Sequence, residues 1–137
     1  AGEGAEFGLP EVKRGILPGN GGTQRVICQL PYLVATELLL IGDRFESERA
    51  EAWGLVNEVV PDNEVMNTAE SFAHRIISNG PLAVQAIKEL AVRGRNMALS
   101  DAIRLEESFQ QHLFQTEDAR EGVAAFAEGR EPDYEAR

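Results

Sequence analysis

The stretch "EFGLPEVKRGILPGNGGTQR", Glu6 to Arg25, carries the most specific pattern in this chain. Glu11 directly follows Leu-Pro, and three glycines (Gly19, Gly21 and Gly22) stand within four positions. A turn that happens to contain a glutamate explains this pattern, and so does a carboxylate held in place to face a substrate. Both interpretations remain open on these residues alone.

The composition is typical of a soluble globular protein. The 137 residues are enough for one domain with a sizeable core, and 43% hydrophobic and 26% charged residues are ordinary fractions. No apolar run approaches the roughly 20 residues that span a bilayer, and the N-terminus lacks a signal-peptide pattern. The single cysteine, Cys28, excludes an intramolecular disulfide. We therefore expect a cytoplasmic protein without a membrane partner.

The net charge of −10, from 13 basic and 23 acidic residues, argues against nucleic acid as a partner. Phosphate binding needs a basic face, and the simplest interpretation of Lys13, Arg14 and Arg25 is a solvated loop face. We expect no metal site, because His74 and His112 have no second ligand at metal spacing.

Local signals predict loop over residues 1–25, with room for one short extended piece, and mostly helix afterwards. Three short helices are expected, each ended by a proline or glycine: residues 22–30 before Pro31, residues 32–41 before Gly42, and residues 46–53 before Gly54. The segment Leu55 to Pro61 is β-branched and bounded by Gly and Pro, so it is predicted to be a strand.

Four further helices are predicted in the remaining half. Their expected starts are Asp62 or Asn63, Pro81, Ser100 or Asp101, and Thr116. Apolar residues recur at three and four positions along the first of these helices, share one face of the second, and are expected to face inward on the third. They are Val65, Ala69, Phe72 and Ile76; Val84, Ile87, Leu90 and Ala91; and Ala102, Leu105, Phe109 and Leu113.

A single predicted strand cannot form a sheet, because its backbone groups need partners on neighbouring strands. We therefore expect this chain to be the C-terminal part of a larger α/β domain, or to pair with strands from another chain.

The stretch "FGLPEVKRGILPGNGGTQR" resembles the enoyl-CoA hydratase/isomerase (crotonase) superfamily. Its members carry a similar F-G-x-P-E, a short basic spacer and P-G-x-G-G-T-Q-R. The similarity continues in order through "ATELLLIGDRFESERAEAWGLVNEVVP", "NGPLAVQAIKE" and "TEDAREGVAAFAEGREP". A glycine motif alone is weak evidence, but ordered blocks over nearly the whole chain make the resemblance specific.

The resemblance implies an α/β fold in which this chain is the C-terminal portion only. Residues 1–61 would be the tail of a crotonase-like ββα superhelix core, and residues 62–137 a C-terminal helical region that builds trimers. This portion would be mostly α-helical. The family's two N–H groups that hold the thioester oxygen, and the other glutamate of hydratases, would lie before these residues.

The resemblance also implies an enzyme that acts on acyl-CoA, most simply an enoyl-CoA hydratase (a lyase of fatty acid β-oxidation type). An isomerase or another crotonase-type reaction is the alternative, and a non-catalytic helical oligomerisation piece without a complete site is a third possibility. The acyl-CoA thioester is the substrate, so no further cofactor is expected. A homo-oligomer, trimer or hexamer, is implied as well.

The resemblance assigns the catalytic role to Glu11, which matches the family's second glutamate, with Pro10 making the chain rigid just before it. A carboxylate near the alkene orients water and moves a proton to or from carbon. Phe126 and Arg130 match family positions near coenzyme A and are the predicted substrate-binding residues. Core packing is the alternative for Phe126, and a solvated helix end is the alternative for Arg130. Gly129 stands where the family commonly has a lysine, which weakens any lysine contact to the nucleotide phosphates.

The glycines after Pro18 are expected to permit a sharp bend and close backbone approach before a helix that starts near Thr23. A phosphate cradle is the alternative, because a helix N-terminus attracts anions. The spacing is not that of a Walker loop, and no Lys-Ser/Thr follows.

Overall fold

A computed structural model describes residues 1–137. The chain divides into two compact units, residues 1–70 and residues 71–137. Its regular structure is mostly helical, as predicted, with seven α-helices and one sheet of two strands. None of the helices combines the length and the apolar character needed to cross a bilayer.

The first unit contains the sheet, two 3₁₀ helices and three short α-helices. In chain order these are β1 (Glu6–Phe7), a 3₁₀ helix (Pro10–Arg14), α1 (Gly22–Gln29), α2 (Tyr32–Ile41), β2 (Phe45–Glu46), α3 (Ser47–Ala52) and a 3₁₀ helix (Asp62–Glu64). Strands β1 and β2 pair antiparallel, with Glu6 opposite Glu46 and Phe7 opposite Phe45. The helix α4 (Val65–Ile77) follows and continues into the second unit.

The predicted ends of the first three helices are confirmed. Pro31 separates α1 from α2, and Gly42 ends α2 in the left-handed conformation with φ 69°. Gly54 follows α3 with φ 75°. Proline and glycine act through the local backbone, which is why the sequence alone could place these ends.

The core of the first unit lies around α2. Its buried apolar residues are Val26, Leu30, Ala35, Leu38, Leu39, Phe45 and Ala50. The ring of Phe45 lies 5.7 Å from that of Phe7 and 5.0 Å from that of Trp53, measured between centroids. Full burial of a large side chain is worth about 1.5–3 kcal/mol. Phe45 is buried, and Phe7 and Trp53 are partly buried, so the ring cluster is a main anchor for the sheet.

The strand predicted for Leu55 to Pro61 is wrong. Only Val60 makes a β-bridge, which is parallel, isolated and formed with Gly2. Other backbone groups of the segment bond outside any strand ladder. The Val59 N–H donates to Glu51 Oε1 at 3.0 Å, and the N-terminal amine donates to the Glu58 carbonyl at 2.7 Å. β-Branched residues favour a strand only where a ladder partner exists.

The second unit contains three full helices after the end of α4. They are α5 (Pro81–Gly94), α6 (Leu99–Leu113) and α7 (Glu117–Glu128). Pro81 is at the start of α5, and the Thr116 hydroxyl accepts the Ala119 N–H at 3.1 Å at the start of α7, both as predicted.

The other two predicted caps are wrong. Asp62 lies in a 3₁₀ helix and accepts the Gly4 N–H at 3.1 Å, so α4 begins only at Val65. Helix α6 begins at Leu99 without a side-chain cap, and the carboxylate of Asp101 pairs with Arg104 instead.

The predicted inward face is confirmed for α6, where all four residues are partly buried. On α4 and α5 the apolar positions are only partly covered, since Ile76 is 51% exposed and Ile87 is 65% exposed. Ala69 and Ala91 are also exposed. Periodicity identifies an apolar face but does not show whether another element covers it.

Candidate active site

Glu11 lies in the 3₁₀ helix Pro10–Arg14, directly after the proline that starts it. This helix ends at Gly15, which takes φ 71° and donates its N–H to the Val12 carbonyl at 3.1 Å. The Glu11 carbonyl accepts the Ile16 N–H at 3.3 Å. The backbone around the glutamate is therefore fixed by a proline before it and a left-handed glycine after it.

The Glu11 carboxylate is in an unusual environment. Its Oε2 atom is buried and has no hydrogen-bond partner, and no other buried side-chain nitrogen or oxygen of the chain lacks one in this way. Leaving a buried polar atom unpaired costs on the order of 1–3 kcal/mol, and more for a charged group. Such an atom calls for an explanation, and a role in catalysis is one of the few that fit. This geometry favours the second of the two interpretations of Glu11.

A surface ion pair holds this 3₁₀ helix against the segment that follows α2. Lys13 Nζ pairs with Asp43 Oδ1, and both side chains are more than half exposed. Lys13, Arg14 and Arg25 are all exposed, in agreement with the predicted solvated loop face. An exposed pair contributes at most about 1 kcal/mol, so it supports the position of the 3₁₀ helix without determining it.

The glycine segment forms the sharp bend that the sequence predicted. Gly21 has φ 83°, and a Cβ on Gly22 would lie 2.9 Å from Pro18 Cβ. The Thr23 hydroxyl donates to the Pro18 carbonyl at 3.2 Å rather than capping α1. Arg25 Nη1 donates to the Asn20 carbonyl at 3.0 Å. Both side chains therefore donate to backbone carbonyls of the same turn and stabilise the bend.

Phe126 lies on α7 and is 90% exposed, so it is not part of the core that residues 1–137 form. It lines an apolar cavity of about 430 Å³ in the second unit, together with side chains of α5, α6 and the C-terminal segment. The lining includes Leu82 of α5, Leu113 of α6, Val123 of α7 and Tyr134 of the C-terminal segment. Its role in substrate binding stays a prediction.

Arg130 follows α7 and is engaged by carboxylates of its own unit. Its Nη2 donates to Glu121 Oε2 at 2.9 Å, and its Nε donates to Glu128 Oε2 at 2.6 Å. The hydrogen bond with Glu121, then that with Glu128, raises the pKa of Arg130 above its usual value. The hydrogen bond from Arg130, then that from the Asp133 N–H, lowers the pKa of Glu121 to about 2. Anion binding by Arg130 stays a prediction, and it would have to compete with these carboxylates.

The contacts of Asp118 could not be predicted from the sequence. This residue is 6% exposed, and its two carboxylate oxygens accept the N–H groups of Glu135 at 2.9 Å and Ala136 at 3.1 Å. The Asp118 N–H in turn donates to the Arg137 carbonyl at 2.9 Å. The segment after α7 is thereby fastened along the start of that helix. The only local signal was an acid in the first turn, which suits the helix dipole in any case.

The comparisons with known proteins agree with one another. The family model described as "Enoyl-CoA hydratase/isomerase" matches residues 1–137. The chain is 37% identical over 137 residues to a 2,3-dehydroadipyl-CoA hydratase of Escherichia coli K12, covering 100% of this chain and 54% of that protein. It is 38% identical over 137 residues to an enoyl-CoA hydratase of Mycobacterium tuberculosis, covering 100% of this chain and 52% of that protein.

A solved enoyl-CoA hydratase structure from Bacillus anthracis has a TM-score of 0.97 at 36% identity, covering 100% of this chain and 53% of that chain. The chain therefore belongs to the enoyl-CoA hydratase/isomerase family and has a crotonase-like fold. The family identified from the sequence is confirmed.

One part of that identification is corrected. The resemblance was expected to concern the C-terminal portion only, but the family model matches the chain along all of residues 1–137, without restriction to such a portion. The chain spans about half the length of the curated relatives it matches. The division of roles between residues 1–61 and residues 62–137 stays a prediction.

Proposed function

We propose that the complete protein acts on acyl-CoA, most simply as an enoyl-CoA hydratase that adds water to a 2-enoyl thioester, with Glu11 as a catalytic residue. Membership of the family supports the substrate class. The buried, unpartnered Oε2 of Glu11 is the single observation that carries the role of this residue.

Hydration needs a hydrogen-bond acceptor for the attacking water, one that does not already accept a hydrogen bond from the protein. Water attacks C3 of the enoyl group, so a C3–O bond forms, the C2–C3 π bond and one O–H bond break, and C2 receives the proton. A carboxylate that already accepts protein hydrogen bonds is poorly placed to orient that water. Oε2 of Glu11 accepts no protein hydrogen bond, and we propose that it accepts one from the substrate water instead. Burial also keeps competing bulk water away.

Negative charge develops on the thioester oxygen during the attack, and backbone N–H donors stabilise it. The resemblance places these donors, and the other glutamate of hydratases, in the part of the relatives that residues 1–137 do not span. We therefore propose that the 137 residues alone do not turn over substrate. Turnover by the purified 137-residue chain, free of the complete protein, would contradict this.

The test of the function is a pair of isosteric substitutions in the complete protein. Glu11→Gln keeps the shape but removes the charge and the basicity, so kcat for hydration should fall by about 10²- to 10⁴-fold, with KM little changed. Glu58→Gln, at an exposed glutamate of the same unit, is the control and should leave kcat unchanged. Loss of the ultraviolet absorbance of the conjugated thioester gives the rate. A normal rate in Glu11→Gln would refute the proposal.

Isomerisation is the second candidate, because the family description includes isomerases and a single carboxylate suffices to move a proton between C2 and C4. A 3-enoyl thioester distinguishes the two reactions. A hydratase leaves it unchanged, whereas an isomerase converts it to the conjugated 2-enoyl form and the absorbance rises.

The predicted binding residues are tested through KM. Phe126 is a large apolar side chain that the protein leaves 90% exposed, as a ligand contact would be. Phe126→Ala should therefore raise KM several-fold at unchanged kcat, which is the sign of lost uniform binding. Phe114→Ala, at another exposed phenylalanine of the second unit (69%), is the control. Equal KM values in both variants would remove Phe126 from the site. We also propose the trimer or hexamer that the family implies, which sedimentation would test.

A further inference from the structure

Gly42 ends α2 immediately beside the 3₁₀ helix that carries Glu11. It is buried, takes φ 69° and ψ 24°, and donates its N–H to the Leu38 carbonyl at 3.0 Å. A left-handed helix end is a common reason for glycine. The surroundings of Gly42 add a second reason.

A Cβ placed on Gly42 would lie 2.7 Å from Val12 Cγ1, 3.4 Å from the Leu9 carbonyl oxygen and 3.4 Å from Lys13 Cγ. Favourable carbon–carbon contacts lie at about 3.5–4.0 Å, so the contact with Val12 would be a clash. Gly54 has nearly the same backbone, φ 75°, yet a Cβ there would meet nothing within 4 Å. Both glycines have a positive φ, but only at Gly42 would an added side chain clash with a neighbour.

The residues near a Cβ added to Gly42 lie on both sides of Glu11 in the chain: Leu9 before it, and Val12 and Lys13 after it. Val12 is β-branched and has few χ1 rotamers, so it cannot easily turn away from an added methyl group. The 3₁₀ helix itself would have to move, and the pairing of Lys13 with Asp43, the residue after Gly42, fastens it at the same place. A shift of Val12 is transmitted to Glu11 through one peptide unit.

We infer that Gly42 is a positioning residue for Glu11. The absence of a side chain at Gly42 lets the 3₁₀ helix rest on the end of α2 and thereby sets where the Glu11 carboxylate lies. This inference rests on the proposed function of Glu11. It assigns to Gly42 an effect on the reaction, without contact to the substrate.

The experiment compares two glycine-to-alanine substitutions in the complete protein. Gly42→Ala and Gly54→Ala both place a side chain at positive φ, but only the first pushes on Val12. Misplacement of a reacting group by about 1 Å can cost 10²-fold in rate. We expect kcat to fall by about 10- to 100-fold in Gly42→Ala with KM within about twofold. Gly54→Ala should retain the wild-type kcat.

A second substitution tests the contact itself. Val12→Ala removes the Cγ1 atom that the new Cβ would strike, so it should restore part of the kcat lost in Gly42→Ala. The kcat of the double variant should lie closer to the wild type than that of Gly42→Ala, a non-additivity expected for residues in contact or coupled through a shared backbone shift. Circular dichroism of every variant checks that the fold is retained.

Four results would overturn either the positioning role or the proposed function. Equal kcat values in Gly42→Ala and Gly54→Ala, or no rescue by Val12→Ala, would overturn the positioning role while leaving Glu11→Gln free to support the proposed function. If Gly42→Ala does not fold, Val12→Ala alone must lower kcat at unchanged KM, because it loosens the same contact; an unchanged kcat then overturns the inference. A normal kcat in Glu11→Gln would instead refute the proposed function.

Discussion

Glu11 and Asp118 are both acids in the first turn of a helix, one in each unit, and their surroundings are opposite. Both oxygens of Asp118 accept backbone N–H groups, from Glu135 and Ala136, and the residue is 6% exposed. Oε2 of Glu11 is also buried but accepts nothing. Both carboxylates are in the first turn of a helix, but the chain supplies hydrogen-bond donors to Asp118 and none to Oε2 of Glu11.

This difference separates a structural role from a functional one. A buried carboxylate with good donors stabilises the fold, whereas one without them lowers stability, since its desolvation is not compensated. Residues that lower stability and still sit in a fixed conformation are concentrated at functional sites. Asp118 should therefore be needed for folding, and Glu11 for the reaction.

The largest effect on stability is expected at Asp118. In the complete protein, Asp118→Ala removes a charged acceptor from two N–H groups and should lower the free energy of unfolding by about 3 kcal/mol. Asp118→Asn keeps one acceptor oxygen and should lose less. Asp101→Ala, at an exposed acid paired with Arg104, is the control and should cost less than about 1 kcal/mol. Urea denaturation measures all three, and equal losses at Asp118 and Asp101 would contradict the structural role.

Features that depend on neighbouring residues could be predicted from the sequence, whereas features that join distant residues could not. Pro31, Gly42 and Thr116 act on their immediate neighbours, and the helix boundaries they mark were confirmed. The Asp118 contacts join residues 17 and 18 positions apart, with backbone groups as donors. No side-chain pattern encodes a backbone donor, so sequence reasoning could not find this part of the fold.

The candidate site divides in the same way. The position of Glu11 could be identified by resemblance, because the motif around it is contiguous. The missing hydrogen-bond partner of Oε2 could not, since it depends on what the rest of the unit places nearby. The strand expected at Leu55 to Pro61 failed for the same reason, since its β-branched residues needed a ladder partner that the fold does not supply there.

The two helix starts also differ in their caps. Thr116 accepts the Ala119 N–H at 3.1 Å, whereas Leu9, before the 3₁₀ helix of Glu11, makes no side-chain cap. Thr116→Ala should lower the free energy of unfolding by about 1 kcal/mol, and Thr116→Ser should restore it. Thermal unfolding of the complete protein measures both. A Thr116→Ala variant as stable as the wild type would show that α7 is held by its tail contacts alone.

A smaller effect of opposite sign is expected at Glu11. Glu11→Gln removes a buried charge that has no protein partner, so the free energy of unfolding should stay the same or rise by up to about 1 kcal/mol, even though activity is lost. The measurement is the urea midpoint of the complete protein beside that of Glu58→Gln. A clear loss of stability in Glu11→Gln would mean that the carboxylate has a structural partner, and the contrast with Asp118 would fail.

The last effect concerns pH and is expected to be the smallest, because the pair involved is partly exposed to solvent. The hydrogen bond from Arg130, then that from the Asp133 N–H, lowers the pKa of Glu121 from 4.5 to about 2. A carboxyl whose folded pKa is depressed stabilises the fold above its unfolded pKa and loses that contribution as pH falls through the folded pKa. The stabilisation from Glu121 should therefore be fully present above pH 4.5 and disappear towards pH 2.

Glu121→Gln should remove this component, so its urea midpoint should fall less than that of the wild type between about pH 5 and about pH 3. Added salt should narrow the difference, because ions screen partly exposed charges. Glu58→Gln, at an exposed glutamate, is the matched comparison. If the profile of Glu121→Gln runs parallel to that of the wild type through this window, then the bonds of Arg130 with Glu121 do not persist in solution. Arg130 would then have only Glu128 as a competitor for the anion that the resemblance predicts it to bind.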